Sequence, residues 1–151
     1  MTNDLKADDT TADDTTADAW QRPAPEPTGF SRPFWDATRE RRLLLQYCTV
    51  AGKFQHYPRP VSVYTGRKTI EWREVAGTGA VYAFTVTQRA PPAFRGREPY
   101  IVATIELDEK VRLMSNLVGC EPGDVRVGAR VRLAWTPTAG GFNFPLFELC
   151  A

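Results

Sequence analysis

From Gly77 onward the chain alternates between apolar and polar residues. Tyr82, Phe84 and Val86 share one face of a segment from Ala80 to Gln88. Ile101, Ala103, Ile105 and Leu107 share one face of Tyr100 to Leu107. After the tight Asp108-Glu109-Lys110 connection, Val111, Leu113 and Ser115 repeat the pattern, and Val131, Leu133 and Trp135 do so between Ala129 and Thr136. A period of two puts every second side chain on one face of a pleated strand, so each segment is predicted to be a strand with that face inward. Pro91-Pro92, Glu121-Pro122-Gly123-Asp124 and Ala139-Gly140-Gly141 supply the breaks, the last leading into Phe142 to Leu149. About five strands rich in β-branched and aromatic residues fit a small closed barrel of the OB type.

Upstream the period changes. Ser31 is a predicted helix N-cap and Pro33 a first-turn proline, with Phe34, Trp35 and Thr38 on one side and Arg39, Arg41 and Arg42 at the end. This predicts a short helix from Arg32 to Arg42, whose aromatic start suits docking. Leu43 to Tyr47 then reads as a strand, Gly52-Lys53 as a turn, Phe54 to Tyr57 as a second short strand and Thr69 to Val75 as a third. Pro58-Arg59-Pro60 is an extended linker, because proline blocks both helix and central-sheet pairing. The fold class is mostly β.

The first 29 residues are of another kind. They repeat Ala-Asp-Asp-Thr-Thr from Ala7 and again from Ala12, hold no large apolar residue between Leu5 and Trp20, and become proline-rich at Pro23, Pro25 and Pro27. Such a stretch cannot bury enough surface to offset chain entropy, so 1–29 is expected to be a disordered, solubilising tail, with docking by Trp20 as the alternative. The organisation expected is tail 1–29, helix and lead-in 30–45, a small module 46–73 and a barrel 74–151. The tail carries a net charge of −5 and the remainder +6. That basic body suits an anionic ligand but is too weak to imply nucleic acid. No apolar run approaches the roughly 18 residues of a membrane span, and no secretory signal is apparent, so a cytoplasmic protein with free thiols at Cys48, Cys120 and Cys150 is expected.

Catalytic residues do not stand out. There is no glycine-rich phosphate loop, no nucleophile elbow and no metal-binding histidine pair. The turn acids Glu106, Asp108 and Glu109 are expected to be solvated, and the lone His56 structural. From Leu43 to Trp72 the chain reads like a small zinc ribbon wanting cysteine at 48, 51, 62 and 65, of which only Cys48 is present. Tetrahedral zinc needs four such ligands, so no metal is expected. For ligand contact the loop from Pro91 to Tyr100 is the best candidate. Arg95 and Arg97 offer forked donors to phosphate, and Phe94 an aromatic surface.

Several of these pieces together carry a family likeness. They are Phe34-Trp35, the strand ending at Cys48, Pro58-Arg59-Pro60, Gly77-Thr78-Gly79-Ala80-Val81-Tyr82, Pro99-Tyr100-Ile101-Val102-Ala103, and Arg112 to Cys120. The chain from about Phe30 to Ala151 resembles the zinc-ribbon and OB-fold family labelled domain of unknown function 35. The resemblance implies a helix, a rubredoxin-like ribbon and a C-terminal OB barrel. It also implies a place in acyl-CoA metabolism, in hetero-oligomeric complexes with thiolase-like enzymes: acyltransferases, thiolases and the aldolases of steroid side-chain breakdown. Some members pair with hotdog-fold enoyl-CoA hydratases instead. In such complexes the catalytic groups belong to the partner, and the small subunit helps shape an acyl-CoA site. The family's ligand cysteines fall on Cys48, Ala51, Ser62 and Thr65, so this sequence departs at three of the four and the metal is not carried over.

A structural zinc contributes on the order of 10 kcal/mol to a small metal module. Without it, a module of about 30 residues lacks a self-sufficient core and must pack on the barrel or on a partner. Phe34, Trp35, Tyr57 and Tyr64 are the candidate partner contacts. A single-stranded nucleic-acid binder is the reading from another class, and it is not expected, because the barrel aromatics alternate as core residues do.

Overall fold

The computed structural model describes residues 22–150. Helix α1 (Arg32–Thr38) leads into a three-stranded antiparallel sheet and then a closed five-stranded barrel. The sheet is ordered β2-β1-β3, with β1 Leu43–Cys48, β2 Lys53–Gln55 and β3 Ile70–Val75. The barrel runs β4-β5-β6-β8-β7 from β4 Thr78–Thr87, β5 Tyr100–Leu107, β6 Arg112–Val118, β7 Arg130–Pro137 and β8 Asn143–Leu149. Strand existence and order along the chain follow the alternation. Leu107, Ile105, Ala103 and Ile101 are buried on β5, and Leu113, Ser115 and Leu117 on β6. Among the described residues no helix is long and apolar enough to cross a membrane. The tail expected to be disordered lies outside the described residues up to Gln21, as does Trp20. Within its last residues Arg22 forms a parallel bridge to Thr138.

Two expectations are corrected. The helix stops at Thr38 rather than Arg42, because Arg41 turns into the left-handed region (φ 57°) and the amides of Glu40, Arg41 and Arg42 bond back to Ala37 and Thr38. The released cations tie elements together instead of capping a dipole. Arg42 Nε donates to Glu74 on β3 at 2.8 Å, and Arg39 stacks 3.7 Å over Phe142. On β4 the predicted inward face of Tyr82, Phe84 and Val86 is broken. A bulge separates Val81, opposite Ile105, from Ala83, opposite Thr104. The extra residue is Tyr82, which points outward at 48 % exposure, while Val81 is buried and Phe84 and Val86 face Ala103 and Ile101. Where β4 crosses β5, a Cβ on Gly79 would stand 2.4 Å from the Glu106 carbonyl, so glycine is required there.

The sheet is held to its long loop by two buried glutamines. Gln46 Nε2 donates to the Arg59 carbonyl at 2.8 Å, and Gln46 Oε1 accepts from the Arg59 N–H and from Gln55 Nε2. Gln55 in turn donates to the Val61 carbonyl and accepts from the Val63 N–H at 2.8 Å. Each buried polar group stripped of its partner costs about 1–3 kcal/mol. Gln46→Leu orphans the Arg59 amide and carbonyl as well as Gln55. We expect it to lower unfolding stability by roughly 3 kcal/mol or more. Urea denaturation checks this, and a wild-type midpoint would show that the pair does not hold the loop.

Candidate functional site

The barrel has a seam. β6 and β8 pair in parallel only at Leu117–Phe147 and Val118–Glu148. Beyond that they part, bridged by Ser115 Oγ donating to the Pro145 carbonyl at 2.6 Å. Helix α1 and residues 56–58 lie across the parted strands and leave an apolar cleft of about 450 Å³. Phe30, Trp35, Tyr57, Met114 and Phe144 line it. Clefts of this size accept a small ligand or a partner's side-chain anchors.

Sequence reasoning placed four aromatics at a partner surface, and the structure divides them. Tyr57 is 53 % exposed, with its Oη accepting the Met114 N–H. Tyr64 is 46 % exposed and donates to the Phe54 carbonyl at 2.7 Å. Trp35 is half-buried, edge-on to Phe34 and Phe142. Phe34 is corrected: at 4 % exposure it is core, sealing the helix onto the barrel. Phe30 and Met114, which the periodicity gave no reason to single out, are the exposed apolar residues of the cleft instead.

His56 lies against Phe34 and Tyr57, ring centres 5.6 and 4.2 Å away, with its Nε2 buried and unpartnered among the described residues. Burial pushes its imidazole down to about 4, so it is neutral at pH 7. Cys48 belongs to a different environment. Its thiol accepts the Ala51 N–H at 3.3 Å and lies 3.5 Å from Thr69 Oγ1, itself 2.9 Å from Thr65 Oγ1. Burial works to raise this thiol, but hydrogen bonds with Ser62 and Thr69 and from the Ala51 and Val50 amides outweigh it and bring the pKa to about 7. Matching turns carry the cluster: the Gly52 N–H bonds the Cys48 carbonyl, and the Gly66 N–H bonds the Ser62 carbonyl, both at 2.9 Å. The four ribbon positions therefore converge, but one thiol among hydroxyls does not fit tetrahedral zinc.

Two of the three turn acids are paired rather than simply solvated, whereas Glu109 Oε2 is buried with no partner among the described residues. Arg130 grips Asp108 with two bonds of 2.8 and 2.9 Å, Thr78 adds a third, and together they hold that carboxyl well below the usual range. Glu106 pairs with Arg112 at 3.2 Å. Neither acid is arranged for proton transfer.

The 91–99 loop is ordered by its own backbone. Pro92–Phe94 forms one 3-10 turn, with the Phe94 and Arg95 amides bonded to the Pro91 and Pro92 carbonyls and the Arg97 amide to Phe94. The nearby backbone amides of Glu98, Gly96, Arg97 and Ala90 favour the charged form of the Glu98 carboxylate and lower its pKa, while its buried Oε2 has no hydrogen-bond partner among the described residues. Arg95 and Arg97 are exposed on this frame, and Phe94 is half-buried beside Tyr100 at 5.9 Å. Arg22 connects loop and cleft: its guanidinium lies 5.3 Å from the Phe94 ring and 5.2 Å from Phe144. Glu98 and Arg22 carried no sequence signal, because a lone acid before proline and a lone base in a tail look like solvated charges.

The chain is similar to known proteins. The family model "ChsH2, C-terminal OB-fold domain" matches residues 72–136. The chain is 38 % identical over 117 residues to the probable enoyl-CoA hydratase alpha subunit of Thermomonospora curvata, a match covering 76 % of this chain and 36 % of that protein. It is 35 % identical over 100 residues to a DUF35 domain-containing scaffold protein of Methanocaldococcus jannaschii, covering 64 % of this chain and 70 % of that one. A solved structure described as Ltp2-ChsH2(DUF35) aldolase matches with a TM-score of 0.76 and 33 % identity, over 85 % of this chain and all of the solved chain. The chain spans about a third of the hydratase subunit's length.

Proposed function

The chain belongs to the DUF35 family of ribbon and OB-fold proteins, and from that premise we propose that it is a non-catalytic subunit of an acyl-CoA-processing complex built on a thiolase-like enzyme. One observation carries the reading: the aldolase structure aligns along the whole length of its matched chain at 33 % identity. The geometry is compatible. Glu106 and Asp108 are engaged in ion pairs, the lone imidazole is neutral and enclosed, and the apolar cleft offers anchor points for another protein. The thiolase-like partner, an aldolase, thiolase or acyltransferase, contributes the catalytic groups in a cytoplasmic hetero-oligomer. Arg95 and Arg97 reach toward the phosphates of acyl-CoA at a shared site, and Phe94 flanks the ligand. No tightly held cofactor is invoked.

The name of the hydratase relative favours a second reading, in which the partner is a hotdog-fold enoyl-CoA hydratase. Nucleic acid is the poorer fit. Tyr82 is the exposed aromatic of the barrel strand β4, but its ring is covered by the Arg112 guanidinium at 3.5 Å, and Arg112 is tied to Glu106, so that ring is not open for base stacking.

Co-expression with candidate thiolase-like and hotdog-fold proteins, followed by size-exclusion chromatography and assay of acyl-CoA turnover, tests the proposal. The chain alone should show no turnover, and one partner should co-elute with it. In that complex Tyr57→Ala and Met114→Asp should together weaken association at least about tenfold without lowering Tm. Robust turnover by the isolated chain would overturn the non-catalytic role.

A further inference from the structure

His56 lines a second cavity besides the apolar cleft, and this one is polar. It is an open hollow of about 390 Å³ between the loop that follows β2 and the β5–β6 hairpin, walled by Gln55, Arg59, Glu106, Lys110 and Arg112. The charges on that wall do not cancel. Arg112 is paired with Glu106 at 3.2 Å and lies 3.5 Å over the Tyr82 ring, so both charges of that pair are engaged. The Gln55 amide is satisfied by Gln46, Val61 and Val63, and His56 is neutral at pH 7. Arg59 and Lys110 remain. Both are exposed, and neither side chain forms an ion pair among the described residues. Asp108 feels Lys110 least among its neighbours and is gripped by Arg130 and Thr78, while Glu109 forms no ion pair.

Both cations stand on fixed main chain. Gln46 binds the Arg59 N–H at 2.9 Å and its carbonyl at 2.8 Å. Lys110 sits in the left-handed region (φ 63°) of the hairpin turn, with its N–H bonded to the Leu107 carbonyl at 2.9 Å. Two elements distant in sequence therefore bring two unpaired cations to one cavity. Like charges there repel, and an anion between them turns that repulsion into attraction.

We propose that this cavity binds the phosphate group of a small molecule, with Arg59 and Lys110 as its ligands. A phosphate monoester carries a charge of about −1.5 to −2 at neutral pH, which matches the two unpaired cations. The planar Arg59 fork suits two phosphate oxygens, and Lys110 supplies a point charge. The volume leaves room for a small organic group beside the phosphate. The site shares no residue with the 91–99 loop and stands independently of the acyl-CoA reading.

NMR titration of the full chain with inorganic phosphate and with pyrophosphate, at constant ionic strength, tests this. The Arg59 and Lys110 amides should shift in a saturable way, with a Kd on the order of 1 mM for two solvent-exposed cations. Arg59→Gln and Lys110→Gln together should weaken binding at least about tenfold. Tm should stay unchanged, because neither side chain holds the fold. Arg95→Gln and Arg97→Gln together should leave the titration as it is. Absence of saturation with either anion would overturn the proposal, as would undiminished binding by the Arg59→Gln, Lys110→Gln chain. Equal losses in both double variants would also overturn it, because the anion would then be answering overall charge. Acetate binding as tightly as phosphate would overturn the assignment to phosphate.

Discussion

Ala51→Cys, Ser62→Cys and Thr65→Cys, combined in one chain, are expected to create a protein that binds one equivalent of zinc and melts well above its metal-stripped form. The reason is convergence. The Ala51 amide, the Ser62 hydroxyl and, through Thr69, the Thr65 hydroxyl already surround Cys48 Sγ. Matching glycine turns at 48–52 and 62–66 supply the backbone that brings two pairs of ligands together. Structural zinc binds small modules with about 10–16 kcal/mol, far more than the few hydrogen bonds the substitutions remove. Metal analysis by mass spectrometry, with melting curves before and after chelation, reads the outcome. A triple variant without zinc would mean that these positions are not the remains of a ribbon site. Stoichiometric zinc in the native chain would contradict the mismatch between its donors and the metal.

Acid should destabilise the protein through His56. Its folded pKa of about 4 lies below the ordinary 6.5, so between those values the unfolded chain binds the proton and the folded chain does not. Stability is therefore full above pH 6.5 and falls as pH drops toward 4, by roughly 3 kcal/mol for a shift of this size. Arg59, Lys110 and Arg112 line the other side of its enclosure together with Glu106, which Arg112 already engages. His56→Phe removes the titration and the orphaned Nε2 while keeping a ring against Phe34 and Tyr57. Urea unfolding at pH 7, 5.5 and 4.5 should show a steeper fall for the native chain than for the variant. Parallel slopes for the two proteins would place the acid sensitivity elsewhere.

What the sequence disclosed followed from how local each signal is. The alternation of β5 and β6 depends on nearest neighbours along one strand, and it gave those strands nearly to the residue. The bulge at Tyr82 depends on what lies opposite, in Thr104 and Ile105, so the same periodicity misassigned that face. The helix end failed for a related reason. Three arginines look like a helix terminus, but Arg42 and Arg39 are claimed by Glu74 and Phe142, which are distant in sequence. Phe34 reads as a surface residue because it stands near the start of the folded region, while its burial comes from Trp35 and from His56, which is distant in sequence. The candidate ligand loop was legible as a cluster of Arg, Gly and aromatic residues. Its scaffold through Glu98 was not, since a carboxylate that folds back on backbone amides leaves no pattern in the chain.

The glutamine pair has a consequence for how this module tolerates change. Gln46 and Gln55 bond to main-chain atoms of Arg59, Val61 and Val63, never to their side chains. The path of the loop is thus encoded in the sheet beneath it, and the outward side chains of Arg59 and Val63 are released from any duty in setting that path. A zinc-held loop spends its own residues as ligands. Here the outward-facing Arg59 and Val63 are the positions open to drift, so this surface can change without the loop having to refold.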